Sequence, residues 1–179
     1  FKAKMATAHD RDVLNTILNP LMPTGDVKDI EEDAPISHPQ IEECRRLEQE
    51  GILAAEKKEL ERAIELFTKA IEVCPIAPSA YNNRAQALQL SGRPEEAFAD
   101  LNESIRLSCG KGRSACQAFT QRAMIHRLRD DKEKAMADFS SAAALGSPFA
   151  RMQLAMMNPY AAMCNAALAK VMGDLKGGQ

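Results

Sequence analysis

The sequence contains few of the residues that build sheet-rich cores or nucleic-acid interfaces. It has no tryptophan, and 4% of its 179 residues are aromatic, whereas 45% are hydrophobic, many of them Ala, Leu, Ile and Met. This composition is typical of closely packed helices and argues against a β-sandwich or a β-barrel. The 23 basic and 25 acidic residues include no strongly basic run. We therefore predict no nucleic-acid partner, because such partners select a basic surface.

Long apolar runs are also missing. No run reaches the ~18 residues that a membrane-spanning helix needs. The first residues, FKAKMATAHD, lack the apolar core of a signal peptide. We expect a cytoplasmic protein without a membrane partner. We also expect Met5 to be the natural first residue, with residues 1–4 added ahead of it.

The cysteines and histidines show no spacing that predicts chemistry. No Cys-x-x-Cys pair occurs among the five cysteines, Cys44, Cys74, Cys109, Cys116 and Cys164. Buried, reduced thiols in a cytoplasmic protein explain an odd number of cysteines better than a disulfide framework does. His9, His38 and His126 have no Cys or carboxylate at ligand spacing. We predict no metal, no cofactor and no enzymatic activity.

The chain repeats itself with a fixed phase. Two columns of small residues lie twelve positions apart, and a large residue follows four positions later. The columns are Gly51, Ala85 and Ala123; then Ala63, Ala97 and Ala135; then Phe67, Leu101 and Phe139. Paired small residues let two antiparallel helices pack closely. The units are 34 and then 38 residues apart, so a four-residue insertion near SCGKGRSAC (108–116) precedes the third unit.

These columns resemble the tetratricopeptide repeat, a helix-turn-helix unit of 34 residues. The match covers residues 40–148 in units 40–77, 78–111 and 112–148. The resemblance implies an all-α, right-handed superhelix of three helical hairpins. This sequence departs from the family's pattern at Glu50, where leucine is usual, and at Cys109, where the second unit usually ends in proline.

The flanking segments are predicted to be helical at both ends. Residues 1–39 hold a short amphipathic helix, HDRDVLNTILNP, and a flexible acidic linker, PTGDVKDIEEDAPISHP. This region would cap the repeats, bind another protein or occupy the groove itself. Residues 149–179 are predicted to form capping helices, with starts at Ser147-Pro148 and Asn158-Pro159. Five of the nine methionines lie there.

The family's fold implies a concave groove lined by the first helix of each unit. The repeat phase places these residues in it: Arg45, Gln49, Asn82, Asn83, Gln86, Gln117 and Gln121. Amides both donate and accept hydrogen bonds, so they can pair with the backbone of an extended peptide. Adjacent asparagines are poor helix-interior residues. Peptide binding would explain the pair Asn82-Asn83; the alternative is that these amides bond a neighbouring helix.

Three segments carry a closer resemblance within the family: NPLMPTGD (19–26), SAYNNRAQALQLSG (79–92) and GSPFARMQLAMMNPYAAMCN (146–165). This resemblance implies a cytoplasmic adaptor that binds the seventy-kilodalton heat-shock chaperone. Family members that bind chaperone tails use a two-carboxylate clamp of Lys, Asn and Arg. The matching positions here are Glu48, Ile52, Asn83, Gln117 and Gln121, of which Asn83 alone agrees.

We therefore predict a non-enzymatic adaptor that binds a partner segment in the groove without a dicarboxylate clamp. The alternative is a structural or oligomerising module that contacts partners through the Met-rich C-terminal helices. Arg84 and Arg122, one residue beyond groove positions, are predicted to pair with acids on adjacent helices.

Overall fold

The computed structural model describes residues 30–158, which form seven α-helices and no strand. The helices are α1 Ile41–Glu56, α2 Leu60–Val73, α3 Pro78–Leu90, α4 Pro94–Leu107, α5 Gly112–Leu128, α6 Lys132–Ala144 and α7 Pro148–Met157. The most extensive contacts lie within the pairs α1–α2, α3–α4 and α5–α6, and the first helices of successive pairs also touch. The predicted all-α tetratricopeptide superhelix is confirmed.

The two small-residue columns lie inside this array. Ala63, Ala85, Ala97, Ala123 and Ala135 are all 0% exposed. Gly51 faces the ring of Phe67 so closely that a Cβ atom there would lie 2.5 Å from Phe67 Cε1. Glycine is therefore required on α1, because any side chain would collide with the large residue on α2.

Proline and short polar side chains begin several of the helices. Pro78, Pro94 and Pro148 occupy first-turn positions, where the missing N–H has no helical partner to lose. Ser147 accepts a hydrogen bond from the Ala150 N–H, so the predicted start at Ser147-Pro148 is confirmed. α7 packs on α6 and covers the last hairpin. The predicted N-terminal helix and the helix after Asn158-Pro159 lie outside the described residues.

Three of the four cysteines that the structure describes match their prediction, and Cys164 lies outside the described residues. Cys44, Cys74 and Cys116 are free and buried, but Cys109 is exposed, so the expectation of a buried thiol is wrong there. Cys109 lies in the insertion between α4 and α5 and has a φ of 52°. Its exposure follows from this position in a loop at the surface, outside the packed helices.

Residues 30–37, here called the strap, lie against the repeats. Asp33 binds Ser114 near the start of α5. Ile36 packs on the apolar cluster that contains Cys44 and Leu47. The prediction of a flexible linker is therefore wrong for this stretch, since a helix N-terminus and an apolar cluster each supply a partner that local composition does not reveal.

Candidate peptide-binding groove

The first helices of the hairpins line a groove with two adjoining pockets of about 310 Å³ each. One lies between α1 and α3, and the other lies between α3 and α5. Asn83 and Gln86 line both. The two pockets therefore form a continuous surface that crosses all three hairpins.

The pocket between α1 and α3, here called the apolar half, exposes large hydrophobic side chains. Ile52 is 42% exposed and Leu90 is 65% exposed, and Ala55, Phe67 and Ala87 complete the apolar lining. Ile52 occupies one of the five clamp positions named from the sequence, whereas Leu90 is not among the predicted site residues. Exposed apolar side chains within a concavity are typical of a binding surface.

The pocket between α3 and α5, here called the amide half, is uncharged and polar. Its lining includes four of the residues that the repeat phase assigns to the groove: Asn83, Gln86, Gln117 and Gln121. The Gln121 Oε1 accepts a hydrogen bond of 3.1 Å from Gln89 Nε2. Ile30 of the strap also lines this pocket, and no local sequence signal predicts that contact.

Asn82 does not face the groove, so that part of the prediction is wrong. Its side chain is 1% exposed, and its Nδ2 donates a 2.7 Å hydrogen bond to the carbonyl oxygen of Ser114. The bond joins α3 to α5. The two asparagines thus have different positions: Asn82 links neighbouring hairpins, while Asn83 lines the groove.

Arg45 and Gln49 are exposed on α1 but line neither pocket. Arg45 donates to Glu42 Oε1 at 2.8 Å, a pairing within one helix. The two pockets lie nearer the C-terminal end of α1, around Ile52 and Ala55, so the structure does not bring these two residues together with the amides of the groove.

Glu48 occupies the interface of α1 and α3. Its Oε1 accepts a 2.7 Å hydrogen bond from Ser79 Oγ. Burial raises the pKa of this carboxyl above its ordinary value, and the Ser79 bond and the Arg45 charge offset only part of the effect. A negative charge here opposes the binding of a partner's carboxylate, whereas a chaperone clamp needs a cation.

Arg84 and Arg122 pair with acids on the second helix of their own hairpins, as predicted. Arg84 makes two bonds of 2.7 Å to Asp100, and Arg122 makes two of 2.7 Å to Asp138. These planar, two-bond pairs are stronger than single ion pairs. The two arginines therefore link the two helices of a hairpin, and neither lines the pockets of the groove.

Metal sites and membrane-spanning helices each have structural requirements that can be tested among residues 30–158. Within this range no group of three or more His, Cys, Asp or Glu side chains is arranged to hold a metal ion. None of the helices described is both long enough and apolar enough to span a bilayer.

Comparison with known proteins identifies the family. The tetratricopeptide repeat family matches residues 66–99. Tetratricopeptide repeat protein 36 of Caenorhabditis elegans is 56% identical over 98% of this chain and 99% of its own. The human protein of that name is 44% identical, covering 96% of this chain and 97% of its own.

Solved structures share the fold. The first tetratricopeptide domain of human RPAP3 aligns with a TM-score of 0.59 at 20% identity, covering 73% of this chain and 96% of that one. The second domain of human RPAP3, in complex with the HSP70 peptide SGPTIEEVD, aligns with a TM-score of 0.57 at 24% identity, covering 65% and 97%. At these identities the likeness concerns the fold alone. Relatives at 44–56% identity over nearly the whole chain are decisive: the chain belongs to the tetratricopeptide repeat protein 36 family.

Proposed function

We propose that this protein is a non-enzymatic adaptor that binds an extended segment of a protein partner in its concave groove. The observation that carries the proposal is the continuity of the apolar and amide halves through Asn83 and Gln86. An apolar pocket can hold a partner's side chain, and the amides beside it can bond the partner's backbone. We assign this role to residues 40–148, between N-terminal and C-terminal flanks at 1–39 and 149–179, in a cytoplasmic protein.

The partner we propose is an extended segment of a heat-shock chaperone, with the seventy-kilodalton chaperone as the first candidate. Two structural neighbours support this class: one is bound to the HSP70 peptide SGPTIEEVD and another to the HSP90 peptide SRMEEVD. The strap of this chain contains Ile30-Glu31-Glu32, which repeats the Ile-Glu-Glu of the first peptide. Ile30 of this stretch lines the amide half, which supports a groove that accepts the apolar residue of such a segment.

The groove lacks the cations for a terminal carboxylate pair. At the five clamp positions this chain has Glu48, Ile52, Asn83, Gln117 and Gln121. Charge-assisted bonds to two carboxylates need cationic donors there. We therefore propose that the groove binds an apolar side chain and the backbone of the partner. The partner's free C-terminus contributes little to the affinity.

The test is titration of the purified protein with the full-length chaperone and, separately, with its C-terminal tail peptide. The double variant Asn83→Ala, Gln86→Ala should lose about tenfold or more in affinity, because each amide contributes a hydrogen bond or two. Its melting temperature should stay close to the wild-type value. Gln49→Ala is the matched control, since Gln49 is exposed and lines neither pocket. Equal affinity of the double variant and the control would contradict groove binding.

A second candidate function is favoured by the surface of α7. Phe149, Met152 and Met156 are exposed there, and flexible thioethers suit adaptable contacts. In this reading the protein is a structural or oligomerising module that uses its Met-rich C-terminal helices. The double variant Met152→Ser, Met156→Ser, combined with removal of residues 158–179, should then abolish association, and a complex that survives these changes would exclude this alternative.

A further inference from the structure

The strap contacts the repeats through every third residue. Ile30, Asp33 and Ile36 are half-buried, whereas the residues between them are exposed. This is the period of an extended, polyproline-like segment with three residues per turn. The strap therefore presents one face to the repeats in the way a bound peptide does.

Asp33 anchors the middle of the strap. Its Oδ1 accepts a 2.8 Å hydrogen bond from the Ser114 N–H, and its Oδ2 accepts one of 2.5 Å from Ser114 Oγ. Ser114 lies in the first turn of α5, where backbone N–H groups have no partner within the helix. The residue before the helix, Lys111, provides no side-chain cap. Asp33 therefore caps α5 from a position 81 residues earlier in the chain.

The contacts on either side of Asp33 fit an acidic segment. Glu32 pairs with Arg113 at 3.6 Å, and Lys111 lines the surface under residues 31–37. Gly112 permits the approach, because a Cβ atom at this residue would lie 2.5 Å from Asp33 Oδ1.

Ile30 lies at the groove end of the strap. It lines the amide half together with Asn83, Gln117 and Gln121. A segment of this chain thus occupies part of the surface to which we assign partner binding.

We propose that the strap is an intramolecular ligand of the groove and that a partner must displace it. The inference rests on the proposed function of the groove. It also defines the partner's chemistry: an extended segment with an apolar residue three positions before an acidic one, matching Ile30 and Asp33. Because a tethered ligand acts at an effective concentration of about millimolar, free segments bind weakly until the strap is released.

The experiment uses the full chain and a fluorescent peptide of its own residues 27–37, VKDIEEDAPIS. Asp33→Ala should increase the affinity for this peptide about tenfold or more, because it removes two hydrogen bonds to a charged acceptor from the tethered competitor. Glu32→Ala is the matched comparison: it removes an exposed ion pair with Arg113 but not the bonds to Ser114. Because exposed ion pairs contribute little, its affinity should rise far less than that of Asp33→Ala.

Hydrogen exchange at the Ser114 amide reports whether Asp33 of the strap has been released from the start of α5. Exchange should accelerate in Asp33→Ala, remain slow in Glu32→Ala, and slow again when the peptide is added to Asp33→Ala. Ile30→Ser provides a second route, because it weakens the groove contact and leaves the cap in place. It too should increase peptide affinity.

The proposal is overturned if both releasing variants bind the peptide no better than the wild type, or if the peptide fails to protect Ser114 in Asp33→Ala. Such a result leaves the partner titration with the Asn83→Ala, Gln86→Ala variant unaffected. Conversely, tight peptide binding by the released variants supports the strap proposal even if the chaperone does not bind. The two failures are therefore distinguishable.

Discussion

Asn82 on α3 donates a 2.7 Å hydrogen bond to the carbonyl oxygen of Ser114 on α5. Ser114 in turn donates from its N–H and hydroxyl groups to Asp33. One residue at the start of the third hairpin thus meets both the second hairpin and the strap. The first predictions concern this junction.

Asn82→Ala should lower the free energy of unfolding by about 1–2 kcal/mol, since it removes a buried hydrogen bond and leaves space between two helices. Asn83→Ala is the neighbouring control and should change stability by less than about 0.5 kcal/mol, because this residue lines the open groove. Urea denaturation measures both. Equal losses would mean that the adjacent amides share one structural role.

Gly112→Ala and Gly92→Ala form a second comparison. Both glycines have positive φ, 75° and 80°, so alanine should cost about 1 kcal/mol at either position. A Cβ at Gly112 also collides with Asp33, whereas one at Gly92 meets nothing within 4 Å. Faster hydrogen exchange at Ser114 is expected in Gly112→Ala alone. Unchanged exchange in that variant would contradict the close approach of the strap.

The Arg84–Asp100 pair should contribute more to stability than an exposed pair of the same type. The Arg84 and Asp100 side chains are 22% and 9% exposed, and those of Arg106 and Glu103 are 67% and 35% exposed. Asp100→Ala should cost about 2–3 kcal/mol, because it leaves a partly buried guanidinium without its carboxylate. Glu103→Ala should cost less than about 1 kcal/mol. Denaturant unfolding measures both losses of stability. A larger loss for Glu103→Ala than for Asp100→Ala would contradict the greater contribution of the Arg84–Asp100 pair.

Glu48→Gln should stabilise the protein at neutral pH. Burial raises the pKa of Glu48 in the folded chain, so the charged carboxylate is disfavoured relative to the unfolded state. Glutamine removes the charge and can still accept the hydrogen bond from Ser79. The gain in melting temperature should shrink as the pH falls toward 4.5, the ordinary value, since wild-type Glu48 then takes up a proton. A gain that persists unchanged at acid pH would point to packing as its cause.

His126 should make stability fall on acidification. Burial lowers the pKa of this histidine below its ordinary 6.5, although Asp138 and Asp131 oppose the shift. The unfolded chain therefore takes up the proton first, and the contribution of His126 is complete above pH 6.5 and declines below it. Unfolding at pH 7.5 and 5.5 should show a smaller pH dependence for His126→Gln than for the wild type. Equal slopes would contradict a buried neutral imidazole.

The hairpins could be predicted from sequence because their determinants are periodic. The columns through Ala63, Ala97 and Ala135 set the phase, and the same phase placed Asn83 in the groove and paired Arg84 with an acid. Each of these features depends on spacings within one or two helices, which a repeat preserves.

The strap and the role of Asn82 could not be predicted in this way. Asp33 and Ser114 are 81 residues apart, and the acidic composition around Asp33 also describes a solvated linker. Asn82 and Asn83 are adjacent, and only the position of α5, which follows an insertion, decides which amide is covered. The missing side-chain cap at Lys111 was no signal either, because α1, α2, α3 and α4 also begin without one.

Repeat arrays are normally one-dimensional: each unit touches its neighbours, and stability is lost stepwise from a free end. The first two hairpins lie between Asp33 and Ser114 in the chain. The hydrogen bonds between these two residues therefore close that stretch into a loop at the start of the third hairpin. Fraying of the third hairpin must open that loop, and release of the strap must loosen the start of the third hairpin. The three hairpins are therefore expected to unfold in one cooperative step. A ligand that detaches the strap would allow the hairpins to unfold separately.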